Sequence, residues 1–227
     1  YNVLEYKDGV SFFGSSTGWE SKVEMGKGRS MGIEFMAQKT LGKTTGWLSY
    51  TLSKSDRKFA KGAINNGERF PYKYDRRHNI NLTLNHKFSE RIDIGASWVF
   101  YTGGTSTIPE DKTTIIRPGN GANNGFILGF DNYYNPIYNN SPNVGEANYI
   151  EHRNNYRLPA SHRLNIGINF NKKTKHGMRI WNISLYNAYN SMNPAWVFRS
   201  HNDDGKSVIK KYTLLPCIPS FTYTYKF

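Results

Sequence analysis

The last eighteen residues, KKYTLLPCIPSFTYTYKF, restrict what this chain can fold into more than any other stretch. From Pro219 onward they alternate strictly: Phe221, Tyr223, Tyr225 and Phe227 fall on one side, Ser220, Thr222, Thr224 and Lys226 on the other. Period two places these sets on opposite faces of a β-strand. A soluble domain usually ends in a frayed polar tail, where a terminal Phe would be wasted apolar surface. In a closed membrane barrel the last strand pairs with the first, and its outward aromatics sit in lipid and at the interface. An edge strand of a soluble β-sandwich alternates in the same way, so the rest of the chain has to separate the two.

The alternation recurs. Met31, Ile33, Phe35 and Ala37 oppose Gly32, Glu34, Met36 and Gln38, and Leu48, Tyr50 and Leu52 oppose Trp47, Ser49, Thr51 and Ser53. Further on, Ile80, Leu82 and Leu84 oppose Asn79, Asn81, Thr83 and Asn85, and Ile92, Ile94, Ala96, Trp98 and Phe100 oppose Asp93, Gly95 and Ser97. Leu164, Ile166, Ile168 and Phe170 oppose Arg163, Asn165, Gly167 and Asn169, and Trp181, Ile183 and Leu185 follow, in a strand expected to run outward past Asn190. With residues 1–6 read as the end of a strand whose beginning is missing, the count is seven complete strands and a stub. Short turns at 41–44, 89–91 and 172–177 alternate with long loops at 54–77 and 102–160, the latter without periodicity. Short turns on one side and long loops on the other is how outer-membrane barrels are built, and a compact soluble domain seldom carries so long a loop. The expected fold class is therefore all-β, an antiparallel transmembrane β-barrel segment of about 7–8 strands. By parity Glu34, Arg77, Asn79, Asn81, Asn85, Arg163, Asn165 and Asn169 face the lumen. His78 and His162, in the related segments RHNINLTLN and SHRLNIGIN, share the lipid-side row.

Composition agrees. Mean hydropathy is −0.66, and no run approaches the ~18 apolar residues of a membrane helix, whereas barrel strands need only every second residue apolar. The formal charge of +13 is spread over turns and loops, without the basic helix or motif of a nucleic-acid binder, so no nucleic acid is expected as partner. The single cysteine, Cys217, excludes a disulfide framework and a cysteine zinc site; within TLLPCIPSF it reads as a small packed hydrophobe.

Catalytic signals are weak. Six histidines are scattered without metal-ligand spacing, no G-x-S-x-G elbow occurs, and His201 beside Asp203 and Asp204 reads as a solvated loop tip. Parity keeps His78 and His162 out of the lumen, where a barrel hydrolase needs them, so no enzyme activity, cofactor or metal is expected. Gly103-Gly104 reads as a bend or rim position. Tyr133, Tyr134, Tyr138 and Tyr149 either stack on a ligand such as a sugar face or pack their own loop, and the residues alone leave both open.

Several segments together carry a family resemblance: SMGIEFMAQKTLGKTTGWLSYTLSKSDRKF, NNGERFPYKYDRRHNINL, NNYRLPASHRLNIG, WNISLYNAYNSMNP and the terminal PSFTYTYKF. In their order and spacing they resemble the C-terminal barrel of TonB-dependent receptors, most closely those of Bacteroidetes-type bacteria, from about Gly18 to Phe227. The resemblance implies a 22-stranded barrel with an N-terminal plug in the cell outer membrane, importing a glycan, peptide or metal chelate too large or scarce for porins. Residues 1–227 then correspond to the C-terminal part of that barrel, without signal peptide, TonB box or plug, and 102–160 to a long extracellular loop. Phe221, Tyr223, Tyr225 and Phe227 resemble the signal read by the barrel-assembly machinery. Further partners implied are outer-membrane lipid and lipopolysaccharide, the TonB complex through the N-terminal part, and a surface substrate-binding lipoprotein. The alternative from a different class is a small self-contained eight-stranded outer-membrane barrel acting as adhesin or structural protein.

Overall fold

The computed structural model describes residues 1–7, 18–117, 127–130, 136–138 and 143–227, with side chains described outside 111–148. The chain forms two units, Tyr1–Ile108 with His152–Phe227, and Pro109–Glu151. The first is all-β. Its eight main strands are β1 (Asn2–Tyr6), β2 (Val23–Lys39), β3 (Thr44–Lys58), β4 (His78–Lys87), β5 (Ile92–Tyr101), β6 (Ser161–Thr174), β7 (Gly177–Tyr186) and β8 (Ile218–Lys226). They lie in one antiparallel sheet in chain order, and the two-residue strand Phe70–Pro71 pairs with the far end of β3. Among the described residues there is no α-helix, only short 3-10 turns at Trp19–Lys22 and Ile64–Gly67.

Each short connection has a local cause. At 40–43 Gly42 takes φ +93°, a conformation that favours glycine. At 88–91 the Ser89 hydroxyl oxygen accepts from the backbone N–H groups of Arg91 and Ile92, both at 3.2 Å. A third turn joins β6 to β7 at 175–176. All three lie at one end of the sheet, while the chain leaves β1, β3, β5 and β7 for its longer connections at the other.

The ladders carry the parity across the sheet without a slip. Phe35 pairs with Tyr50, Tyr50 with Ile80, Ile80 with Phe100, and Phe100 with His162. One layer in, Leu48, Leu82, Trp98 and Leu164 form the next row. Ile166 then meets Leu185, Ile168 meets Ile183, and Ile183 meets Phe221. One face from β2 to β8 is thus continuously apolar. A second sheet would bury it, as in a sandwich; here Ile33 is 73%, Phe35 58%, Ile183 51% and Phe221 64% exposed. The buried cluster of the described residues is small, Val3, Phe59, Ile64 and Phe70, beside the polar face at the long-connection end.

Several boundaries differ from the sequence reading. β3 continues to Lys58 because the charged residues after Leu52 find partners there: the Asp56 carboxylate accepts from Arg29 across the ladder and from Arg69 in the following loop. β7 stops at Tyr186 because Asn187 turns the chain. At φ +53° its side chain binds the carbonyls of Ser191 and Leu215 at 3.0 and 3.1 Å and accepts from Ser191 N–H at 2.8 Å. The hairpin Pro194–His201 with Ser207–Thr213 takes up residues 210–213, upstream of the alternating run that begins at Pro219. The second unit, within the aperiodic 102–160 stretch, holds two further pairings. Asp111–Arg117 runs in unbroken register against Asn143–Tyr149, and Ile127–Phe130 lies against Pro136–Tyr138. Gly, Asn and Pro blur the period there without preventing backbone pairing.

Candidate functional site

The face opposite the apolar one is mostly polar, with Met36, Trp47, Val99 and Tyr101 among its larger side chains. Glu34 pairs with Thr51, Thr51 with Asn79 and Asn79 with Tyr101; Asn85 pairs with Gly95, and Gly95 with Gly167. Asn81, Arg163, Asn165 and Asn169 share this face by the same ladders. Of the residues assigned to the lumen by parity, Arg77 lies just outside a strand. It precedes β4, approaches Asp75 Oδ2 at 3.5 Å through Nε, and lines a hollow with Met31, Ile33, Leu52 and Lys54 of the apolar face. Its carbonyl accepts from Ser53 N–H at 3.0 Å, one step beyond the β3–β4 ladder.

The polar face is hydrogen-bonded laterally. Asp93 accepts from Asn169 Nδ2 at 2.7 Å and from Asn171 Nδ2 at 2.5 Å, and Asn169 Oδ1 accepts from Asn182 Nδ2 at 2.7 Å. Asp93, Asn171 and Asn182 complete a chain of which the sequence reading singled out Asn169; their parity was the available signal. Arg163 donates through Nη1 to the Tyr186 hydroxyl and lies 4.3 Å above that ring. Between these groups a trough of about 420 Å³ is lined by Thr83, Asn85, Ser97, Asn165, Gly167 and Tyr186 among others. Side-chain amides and hydroxyls there offer both donors and acceptors beside Ala96, Ile166 and Leu185. None of the described residues on this face is a histidine, and the nucleophile–base geometry of a hydrolase is not assembled there.

Histidines instead edge the apolar face. His78 and His162 stand on its row at the long-connection end, His86 at the short-turn end. Each meets a hydroxyl: Tyr50 with His78 Nδ1 at 2.9 Å, Tyr189 with His162 Nδ1 at 2.8 Å, Thr44 with His86 Nδ1 at 2.7 Å. Trp98 Nε1 also donates to the Tyr189 hydroxyl at 3.2 Å. Phe170, Trp181, Tyr223 and Phe88 add rings toward the short turns, with Trp181 4.6 Å from Tyr223 and 5.1 Å from Phe221. Aliphatic rows lie between two amphipathic borders. Tyr225 continues the row and contacts Phe227 at 6.2 Å.

The bases of the long connections are tied down. Asp75, fully buried, accepts from Ser55 N–H at 2.6 Å and from Arg157 Nη2 at 2.6 Å, while Arg157 Nη1 reaches the carbonyls of Asp75 and Gly103. Asn155 clamps Ile108 with two hydrogen bonds of 2.9 Å, and Asn65 clamps Arg153 in the same fashion. A Cβ on Gly103 would strike the Leu158 carbonyl oxygen, and one on Gly104 would press on the Lys73 carbonyl at 2.5 Å. The glycine pair therefore permits close backbone approach at the rim. Beyond the end of the apolar row, burial pushes the Asp56 carboxyl up, but hydrogen bonds and charge from Arg29 and Arg69 outweigh it and hold the group below its ordinary value.

Of the loop tyrosines, Tyr133 and Tyr134 lie outside the described residues, as does the side chain of Tyr138, whose backbone pairs in a short strand. Tyr149 lies opposite Asp111 with 49% of its surface exposed. The 194–213 hairpin holds an aromatic group that sequence reasoning missed: Trp196 and Phe198 flank Tyr212 at 4.8 and 5.1 Å. Period-two spacing of Trp196 and Phe198 was the signal. At the tip of that hairpin Asp204 accepts from Asn202 Nδ2 at 3.3 Å. Cys217 is free and half-buried, and its N–H donates to Asn190 Oδ1 at 2.9 Å. Comparison with protein-family models, with curated proteins and with solved structures gives no match.

Proposed function

We propose that this sheet is part of the wall of an outer-membrane β-barrel, that of a TonB-dependent type of receptor importing a large or scarce nutrient, a glycan, peptide or metal chelate. The observation that carries the membrane half of the reading is the apolar face. It runs unbroken over β2 to β8, is exposed at Ile33, Phe35, Ile183 and Phe221, and is edged on both sides by His, Trp and Tyr. Water does not tolerate a patch of this extent on a monomer, whereas lipid contact with aromatic girdles at both interfaces accounts for all of it. Short turns at one end and long connections at the other support the same orientation, periplasmic and extracellular respectively. The import half rests on the sequence resemblance and on the wet, amide-lined opposite face. Within it, the plug, the TonB complex, the assembly machinery and a surface lipoprotein are partners of the whole receptor.

Single cysteines placed in the full-length protein on a Cys217→Ser background test the wall. Positions 82, 166 and 183 are expected to resist a water-soluble maleimide in intact membranes, while 81, 165 and 184 react. Equal labelling of both sets defeats the membrane reading. The eight-strand count keeps one alternative in view, a self-contained small barrel acting as adhesin or structural protein. The interior of such a barrel is filled by side chains; the face opposite the apolar one carries Gly, Ser, Thr and Asn around a trough of about 420 Å³, together with the larger Trp47, Val99 and Tyr101. A substrate-dependent growth defect on deleting the gene favours the receptor; loss of adhesion alone favours the small barrel.

A further inference from the structure

We infer that the apolar face carries a built site for one phosphate-bearing lipid, on β2 and β3 at the long-connection end; this rests on the membrane reading above. A hollow of about 340 Å³ opens there, walled by Met31, Ile33 and Leu52 with Lys54 and Arg77 at its polar edge. The row order explains it. Descending β3 from its far end, the apolar-face row reads Lys58, Asp56, Lys54, Leu52, and the facing row of β2 reads Lys27, Arg29, Met31, Ile33. Cations therefore stop where the aliphatic wall starts. Arg29 and Arg69 already hold Asp56, so that carboxylate is more than neutralised. Lys27, Lys54 and Lys58 have no carboxylate within 4.0 Å among the described residues.

The other strands lack this pattern at the same level. Their apolar-face rows end in His78, Phe100 and His162, which form hydrogen bonds or ring contacts and hold no cluster of ammonium groups. A general attraction to an anionic leaflet would distribute its cations around the girdle; this cluster is confined to the strand pair that also has the hollow. An acyl chain fits Met31, Ile33 and Leu52, and a headgroup phosphate directly above it meets Lys54 Nζ, with Arg77, whose Nε lies 3.5 Å from Asp75 Oδ2, at the edge. Lys27 and Lys58 flank that position. The chemistry that matches is a lipid anion: a cation pair beside an apolar hollow discriminates against a zwitterionic lipid by charge and against free phosphate by the missing chain.

The test uses the full-length protein in a neutral detergent, with lipid retention read by native mass spectrometry. The probes are phosphatidylglycerol, phosphatidylcholine of the same chains, and inorganic phosphate. The wild type is expected to hold one phosphatidylglycerol in preference to phosphatidylcholine, and phosphate at equal concentration is not expected to displace it. Lys54 makes no ion pair, so K54Q is the variant least apt to disturb folding; it should weaken phosphatidylglycerol about fivefold and leave phosphatidylcholine unchanged. R77Q, which also touches Asp75, is scored only where circular dichroism matches the wild type, and Ile33→Trp, which fills the hollow with its cations intact, should weaken both lipids. K206Q on the exposed hairpin tip serves as the control. Equal retention of the two lipids by the wild type, an unchanged preference in K54Q, or displacement by phosphate overturns the site. Flotation with liposomes, run first, separates the failures: a protein that does not float defeats the membrane reading, and one that floats without lipid preference defeats only this site.

Discussion

Asp75 is the residue on which the rim depends most. Its carboxylate is sealed from solvent and holds Ser55 N–H, Arg157 and Arg77, so it ties β3, the 59–77 connection and the 152–160 segment together. Asp75→Asn keeps the shape and removes the charge, leaving Arg157 with a weaker partner. Because Arg157 keeps 36% of its side-chain surface exposed, the expected cost sits at the low end for a broken buried pair, about 3 kcal/mol. The denaturant midpoint of the detergent-solubilised protein measures it; an unchanged midpoint refutes the role. Asp56 gives a pH prediction. Its pKa in the folded protein lies below the ordinary 3.8, so the unfolded chain takes up the proton first as pH falls. The stabilisation is complete above that value and disappears as pH drops through the folded pKa. Arg69→Gln should lower the unfolding midpoint at pH 6, and the difference from wild type should shrink below about pH 4. A gap that persists at pH 2.5 would assign Arg69 a packing role instead.

At the scale of the strand, the two faces obey different rules. Ile183 sits mid-row on the apolar face between Ile168 and Phe221. Ile183→Lys should cost about 2–4 kcal/mol if that row meets the bilayer midplane, and Ser184→Lys, one residue along and on the opposite face, should cost far less. Reversal of that order, read from folding titrations into lipid vesicles, removes the lipid assignment of this face. The last strand carries its own prediction. Phe221 and Tyr223 pack against Trp181, whereas the Phe227 ring, 6.2 Å from that of Tyr225, is fully exposed. Deleting Phe227 therefore removes little packing. If the terminal aromatic acts in assembly, the deletion lowers the outer-membrane level of the full-length protein at unchanged synthesis; equal surface labelling shows it to be incidental.

For the molecule as a whole, the two outermost strands decide the behaviour. Among the described residues β1 pairs with β2 and β8 with β7 alone, so in lipid the remaining edge N–H and C=O groups each cost several kcal/mol unless further strands meet them. Residues 1–227 by themselves are accordingly expected to form no discrete pore in a liposome solute-leak assay, while the full-length protein inserts stably. A uniform stable conductance from these residues alone would favour the small self-contained barrel over the receptor wall.

Local pattern was enough to reveal the strands and their facing. Period-two runs at 31–37, 80–84, 92–100, 164–170 and 219–227 specify which side chains share a face, because a strand's side chains alternate whatever it packs against. The unequal loop lengths made the two ends of the sheet distinguishable, and His78 and His162 fell on the apolar row for the same reason. Contacts distant in sequence decided the rest. β3 reaches Lys58 because Arg69 and Arg29 converge on Asp56, and β7 ends at Tyr186 because Asn187 binds Leu215. The trough bordered by Asn165 and the hollow beneath Lys54 exist only once neighbouring strands are in register, since no single strand contains the residues that line them. Alternation is a property of one strand and is written in the sequence; a rim, a trough and a cation cluster are properties of several strands at once, and only the tertiary structure brings them together.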